Sequence, residues 1–284
     1  MNTKEGFLNT AKTLAEALPF LQRYDGAIIV IKLGGHAMTD LTAMKSFARD
    51  IVLMKQCNVN PIIIHGGGPM INATLAKLDI TSSFHEGKRI TTEEIMEVVE
   101  MVLSGKVNKS IVSALNDQGG KAVGLSGKDS SLIYCEQDTP ELGCVGKIME
   151  INPEVLNSFI DSDFIPVVAP IGYGNNSKTY NINGDTVAGA LASSLNADRL
   201  LLLTDVDGVK SSEGKLIPQL DSTEARKLIK DGVIFEGMIP KVNTSLDAIE
   251  TGVRAAVIID GRVEHSCLLE LFTSHGAGTL FRNS

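Results

Sequence analysis

Two short apolar runs, each breaking abruptly into glycine, constrain this chain more than any other feature. Residues 27–33 read AIIVIKL and stop at Gly34-Gly35, just after Lys32. Residues 61–64 read PIII and stop at His65-Gly66-Gly67-Gly68-Pro69. A short β-rich run that ends in glycine reads as a buried strand delivering bare backbone to a sheet edge. Glycine there lets a ligand come close to the main-chain N–H groups. Two such edges, one beside a lysine, point to an anion site, with a transferring phosphate as the leading candidate.

The rest of the chain alternates in the same manner. Helices are expected over about 7–23, 40–56, 69–78, 106–118, 185–195, 222–231 and 238–250. Further strands are expected at 164–169, 200–203 and 255–259, with a last helix or strand over 266–273. Residues 122–136 read as short strands around a glycine turn. Thr91-Thr92-Glu93-Glu94 fits a capping box with Thr91 as N-cap and Glu94 at N3, and the helix behind it stops near Gly105. Strands that are apolar throughout and alternate with helices imply a mainly parallel sheet covered on both faces. Ligands of such sheets bind beyond the carboxyl ends of the strands. Residues 170–184, rich in Gly, Asn and Pro, are the strongest break and mark a lobe boundary. The helix near the N-terminus is either packed on the fold or an oligomer arm.

A net charge of −8 argues against nucleic-acid and anionic-membrane partners, though a local basic cluster can still serve a small anion. The chain lacks Trp, so its core is aliphatic. The cysteines at 57, 135, 144 and 267 form no CxxC pair and read as free thiols of a reducing compartment. The first twenty residues do not pattern as a signal peptide, and no apolar run is long enough to span a membrane. The expected location is the cytoplasm or a plastid stroma.

Familiar phosphate motifs fail. A Walker A pattern ending at Gly127-Lys128 has Ala122 at its first glycine and Asp129 where Ser or Thr belongs; Gly66-x-Gly68 is followed by Ile71 rather than the third glycine of a dinucleotide fingerprint. Asp205-x-Asp207-Gly208 lacks the other ligands of a calcium loop. Individual residues leave alternatives open. Lys32 is an edge lysine reaching water or a phosphate-binding cation, because a lysine in a buried strand is costly without an anion. Pro240 marks a helix start, placing Lys241 where the helix dipole disfavours a cation unless an anion binds. Asp185 is a plain N-cap or a carboxylate that holds two lysines. Arg89, in Gly87-Lys88-Arg89, is a solvated charge or a bidentate carboxylate grip.

Taken together, KLGG, HGGGP, GKR, YNINGD, LLLTDVDG and GMIPKV resemble the amino acid kinase family, from about residue 27 to the end. The stretches MEVVEMVLSGKVNKSIV, GLSGKDS and EGMIPKV make the resemblance specific. It implies a three-layer αβα sandwich with an open, mainly parallel central sheet. Residues 1–26 would form an oligomer arm, 27–176 a lobe for N-acetyl-L-glutamate, and 177–284 a lobe for ATP. Lys32 and Lys241 would flank the transferring phosphoryl group, with Asp185 orienting both. Gly67, Gly68, Arg89 and Asn181 would hold the acceptor. Gly34, Gly35, Thr204 and Asp205 would serve phosphate and nucleotide. Mg2+ would arrive with ATP and take no protein ligand. Phe20, Glu270 and Gly276 match an arginine site, and the helix that precedes the first strand resembles the arm that links dimers into a hexameric ring. His36 stands where a small residue is usual, Gly184 where Ala is usual, Val257 where His helps line the arginine site, and Phe20 in place of Tyr. The same fold serves sister kinases of another carboxylate, carbamate or UMP, and could serve a silent sensor.

Overall fold

The apolar runs assemble into one eight-stranded sheet. Its order is Gln219–Leu220, Gly278–Phe281, Ala255–Asp260, Arg199–Thr204, Ile28–Leu33, Asn60–His65, Ile165–Ala169 and Ala122–Ser126. All neighbours pair in parallel except Gly278–Phe281, which runs antiparallel to Ala255–Asp260. This computed structural model describes residues 4–38, 40–85 and 87–283, without the side chains of residues 4–6, 10, 36 and 37; the expectation about the His36 side chain therefore lies outside the described residues.

The strands show why the fold has three layers. Ile29, Ile31 and Leu33 join one apolar cluster with Ile51, Leu75, Val99, Ile111 and Leu271 from the helices on that side. Val30, Ile62, Ile64, Leu200, Leu202 and Ile258 join a second cluster with Leu191 and Leu246 from the opposite side. Successive side chains of a strand point to opposite faces, so a run apolar at every position must be covered twice. Each wholly buried Leu or Ile contributes about 1.5–3 kcal/mol of hydrophobic stabilisation. Lys32 falls on the same face as Val30. The helices on that face are Gly184–Ser194 and Met238–Glu250, which carry the carboxylate and the second lysine singled out above.

Several local expectations need correction. The N-cap of helix Glu93–Glu100 is Thr92, whose hydroxyl accepts from the Ile95 N–H at 3.3 Å, so Thr91 and Glu94 form no capping box. Thr91 is instead buried and bonded elsewhere. The helix does not stop at Gly105: a π-helical segment, Met101–Val107, joins it to Asn108–Asp117. Asp185 is not an N-cap, because Asn183 takes that place and accepts from the N–H groups of Asp185 and Thr186. Pro240 is the third residue of its helix, which starts at Met238. Residues 266–272 are helical, and the antiparallel strand Gly278–Phe281 follows them. The helix near the N-terminus spans Lys4–Arg23. The break at 170–184 holds two short strands, Ile171–Tyr173 and Thr179–Asn181. These pair with each other and join Ile133–Gln137 and Gly146–Ile151 in a separate four-stranded sheet.

Candidate active site

The two glycine-broken edges lie side by side. Leu33 pairs with His65 in the register of adjacent parallel strands, and the Gly66 N–H donates to the Leu33 carbonyl at 2.9 Å. Both edges sit at the carboxyl ends of their strands, as expected for an open α/β sheet.

At the first edge, Lys32 Nζ lies 3.0 Å from Asp185 Oδ1, and Lys241 Nζ lies 2.6 Å from Asp185 Oδ2. One carboxylate thus bridges two ammonium groups that come from a strand and a helix 209 positions apart in sequence. Lys32 does not snorkel into bulk water: its side chain is 12% exposed, and those of Lys241 and Asp185 are 17% and 8%. Burial pushes the Lys32 pKa below its ordinary value, against the opposing pull of Asp185. Burial alone would raise the Asp185 carboxyl, but Lys32 and Lys241 outweigh it and hold the group below the ordinary carboxylate range. With Asn183 capping the helix, both oxygens of Asp185 are left to the lysines. The Asp205 carboxylate also acts on Lys32, so two ammonium groups and two carboxylates meet at this edge. Glycine is required around them. A Cβ on Gly34 would overlap the Lys32 ammonium, and one on Gly35, whose φ is +60°, would overlap the Asp205 carboxylate.

At the second edge, Gly67 N-caps the helix Gly68–Lys77. Among the described residues neither the Gly67 nor the Gly68 N–H donates to a backbone carbonyl outside the helices and strands, which leaves both open to a ligand. A Cβ on Gly67 would overlap Leu103, which the π-helical segment brings down onto the loop. His65 is wholly buried. Its Nδ1 lies 2.8 Å from the Gly66 carbonyl and its Nε2 lies 3.3 Å from Asn108 Nδ2. The first contact needs a donor and the second an acceptor, so the ring is neutral with its proton on Nδ1. Burial depresses its pKa to about 4. Asn108 also donates toward the Val167 and Leu125 carbonyls, and Gly124 leaves the space that Asn108 occupies.

Arg89 completes this end. The guanidinium donates to Ser82 Oγ and to Asn72 Oδ1 (2.5 Å), and it lies 4.6 Å from the centre of the Phe84 ring. All three partners are neutral, and no ion pair joins Arg89 to a carboxylate among the described residues. Burial lowers its pKa. Lys88 beside it turns to Asp138 at 2.5 Å. Asn181 faces Arg89 from the small sheet. These residues line a cleft of about 830 Å³ that runs from Lys32 and Asp185, past Gly66–Gly68, to Arg89 and Asn181.

The remaining candidates fall into two places. Thr204 ends the strand beside Lys32, with Asp205 against Gly35, next to the lysine pair. Phe20, Glu270 and Gly276 lie away from the cleft. Glu270 accepts from the Ala277 N–H at 2.7 Å, and burial raises its pKa. Val257 is wholly buried in the strand Ala255–Asp260. The four cysteines are free, with Cys135, Cys144 and Cys267 buried. Sequence reasoning missed His65, Thr91, Leu103 and Asn108. Asn108 carried a usable signal: a polar residue between Val107 and Ile111 on the buried face of a helix.

A model of the amino acid kinase family matches residues 27–260. The chain is 60% identical over 276 residues to the acetylglutamate kinase of Ruegeria pomeroyi, covering 97% of this chain and 96% of that one. It is 60% identical over 279 residues to the acetylglutamate kinase of Dinoroseobacter shibae, covering 98% and 97%. Among solved structures, N-acetylglutamate synthase from Neisseria gonorrhoeae, complexed with coenzyme A and N-acetyl-glutamate, superposes with a TM-score of 0.87 at 25% identity. That match covers 96% of this chain and 63% of the longer one.

Proposed function

The chain belongs to the amino acid kinase family, and from that premise we propose that it transfers the γ-phosphoryl group of ATP to the side-chain carboxylate of N-acetyl-L-glutamate, as a step of arginine biosynthesis. One observation carries this reading. A cleft with a bridged lysine pair at one end and, at the other, a buried guanidinium whose partners among the described residues are all neutral suits an acceptor that is itself a dianion.

The chemistry asks little of the protein beyond alignment and charge. The acceptor carboxylate is ionised at neutral pH, so no general base is needed. Its oxygen bonds to phosphorus while the bond to the leaving ADP oxygen breaks, and that electron pair stays with ADP. Lys32 and Lys241 neutralise charge on the transferring group, and Asp185 holds both in register. The Gly34-Gly35 backbone receives phosphate oxygens, and Thr204 and Asp205 border the nucleotide. Gly67 and Gly68 offer N–H groups to the acceptor. Arg89 takes its α-carboxylate in a bidentate grip, and Asn181 takes its acetamido group. No group of three or more His, Cys, Asp or Glu among the described residues is placed to hold a metal ion. In this reading Mg2+ would arrive with the nucleotide and would supply further positive charge at its phosphates, beside Lys32 and Lys241.

Residues 27–176 serve mainly the acceptor and 177–284 the nucleotide. The helix Lys4–Arg23 exposes Phe7, Leu8, Leu14 and Leu18, which supports an arm that joins dimers into a hexamer. Arginine inhibits weakly, because Val257 offers no polar group and no surface. No helix among the described residues is long and apolar enough to cross a membrane, which accords with a cytoplasmic enzyme. The test is a panel of carboxylic acids with ATP, trapping the acyl phosphate with hydroxylamine. Hydroxamate from N-acetyl-L-glutamate supports the reading, and hydroxamate only from another acid overturns it. Adding arginine to the same assay tests inhibition, and sedimentation of the purified chain tests the hexamer.

A further inference from the structure

Thr91, displaced from its expected capping role, is wholly buried between the two residues assigned above to the acceptor. Its hydroxyl donates to the Arg89 carbonyl at 2.8 Å. A hydroxyl has one proton, so Oγ1 is left as an acceptor toward its other neighbour. That neighbour is Asn181, whose Nδ2 donates to it at 3.3 Å across 90 positions of sequence. The backbone holds the pair in place. The Thr91 N–H donates to Leu142 O, Cys144 N–H donates to Thr91 O, and Asn181 N–H donates to Cys144 O. A primary amide has unlike ends: with Nδ2 turned to Thr91, Oδ1 is turned away from it. Oδ1 has no hydrogen-bond partner among the described residues, and Asn181 lines the cleft.

We propose that Thr91 is a positioning residue that presents Asn181 to the cleft as a hydrogen-bond acceptor, and so selects acceptor substrates carrying an amide N–H next to the α-carbon over isosteres with an ester oxygen there. The proposal rests on the assignment of Asn181 to the acceptor's acetamido group. A ligand N–H completes the bond that Oδ1 lacks. An ester oxygen in its place meets another lone pair, and the amide cannot turn over without losing Thr91. Leaving such groups mismatched in a closed site is what makes polar discrimination large.

The test compares N-acetyl-L-glutamate with its ester isostere, (2S)-2-acetoxyglutarate, by acceptor-dependent ADP release in the wild type and in Thr91→Val and Thr91→Ser. The two acceptors share both carboxylates, so any general loss of activity cancels in their ratio. The wild type is expected to favour the amide by about 10²-fold in kcat/KM, mostly through KM. Thr91→Val should compress that preference about tenfold or more, because Asn181 is then free to turn its Nδ2 to the ester, and Thr91→Ser should restore it. If Thr91→Val does not fold, Thr91→Ala reads the same ratio without added bulk. Wild-type turnover of N-acetyl-L-glutamate with no amide preference, or with a preference that the variants leave unchanged, overturns the proposal alone. Turnover of neither acceptor overturns the substrate reading and the proposal with it.

Discussion

At one end of the cleft, Lys32 and Lys241 share one carboxylate; at the other, Arg89 leans on a hydroxyl, an amide oxygen and an aromatic face. The first arrangement is ion-paired before any ligand arrives. The second holds a buried charge that no carboxylate pairs among the described residues. Removing the carboxylate that bridges the first cluster should therefore damage folding and chemistry together. Altering the second should act mainly on binding. Asp185 is the hinge of the contrast, because it is the carboxylate that both lysines contact directly.

Four experiments bear on that contrast. Asp185→Asn leaves two largely buried ammonium groups without their carboxylate and should cost about 3–5 kcal/mol of stability, read by urea denaturation. An unchanged denaturation midpoint would dissolve the distinction. Lys241→Ala keeps Lys32 paired and should fold normally, with turnover reduced about 10²–10³-fold, or about 3–4 kcal/mol. Near-normal kcat in that variant would remove Lys241 from the chemistry.

His65, between the two ends, adds a dependence on pH. The unfolded chain takes up its proton near pH 6.5, while the folded state resists until about 4. The stabilisation is thus full above about pH 6.5 and drains as pH falls toward 4, by about 3 kcal/mol in all. His65→Gln should flatten that part of the profile, and parallel wild-type and variant profiles would count against a buried neutral ring. The smallest effect is expected for Arg89→Lys, which keeps the charge but loses the fork. KM for the acceptor should rise about tenfold with kcat within about threefold. A collapse of kcat instead would place Arg89 with the lysines.

The parts that were legible in the sequence share a physical cause. Runs such as 28–33 and 60–65 are buried on both faces, so every residue reports its environment, and the glycines that end them mark where side chains would obstruct. The lysines stood out because charge in such places is costly. The small sheet was harder to see. Its strands are short and partly exposed, and Ile171–Tyr173 and Thr179–Asn181 sit among glycines and asparagines that look like loop. Gly278–Phe281 is four residues long and borrows its order from its neighbours. The shift from Thr91 to Thr92 as N-cap turned on one residue. Local sequence favours Thr91, which has Glu94 at N3, and the distant 142–144 segment and Asn181 bond Thr91 elsewhere. The π-helical segment likewise places Leu103 over Gly67, a contact between residues far apart in sequence that local propensity does not report.

The bond from Gly66 to the Leu33 carbonyl has a metrical consequence. In the proposed reading, the glycine edges that receive donor and acceptor end neighbouring parallel strands, which would set the two substrates apart by one step of the sheet, about 4.8 Å. Reacting atoms need to meet at about 3–3.5 Å, a gap that bound ligands can close without moving the scaffold. On that reading the reaction coordinate would run across the grain of the sheet, gauged by a repeat distance of the backbone rather than by the reach of any loop. Side chains around the cleft can change without altering that gauge. Only a slip of strand register would reset it, and a slip of one residue would also turn Lys32 to the opposite face.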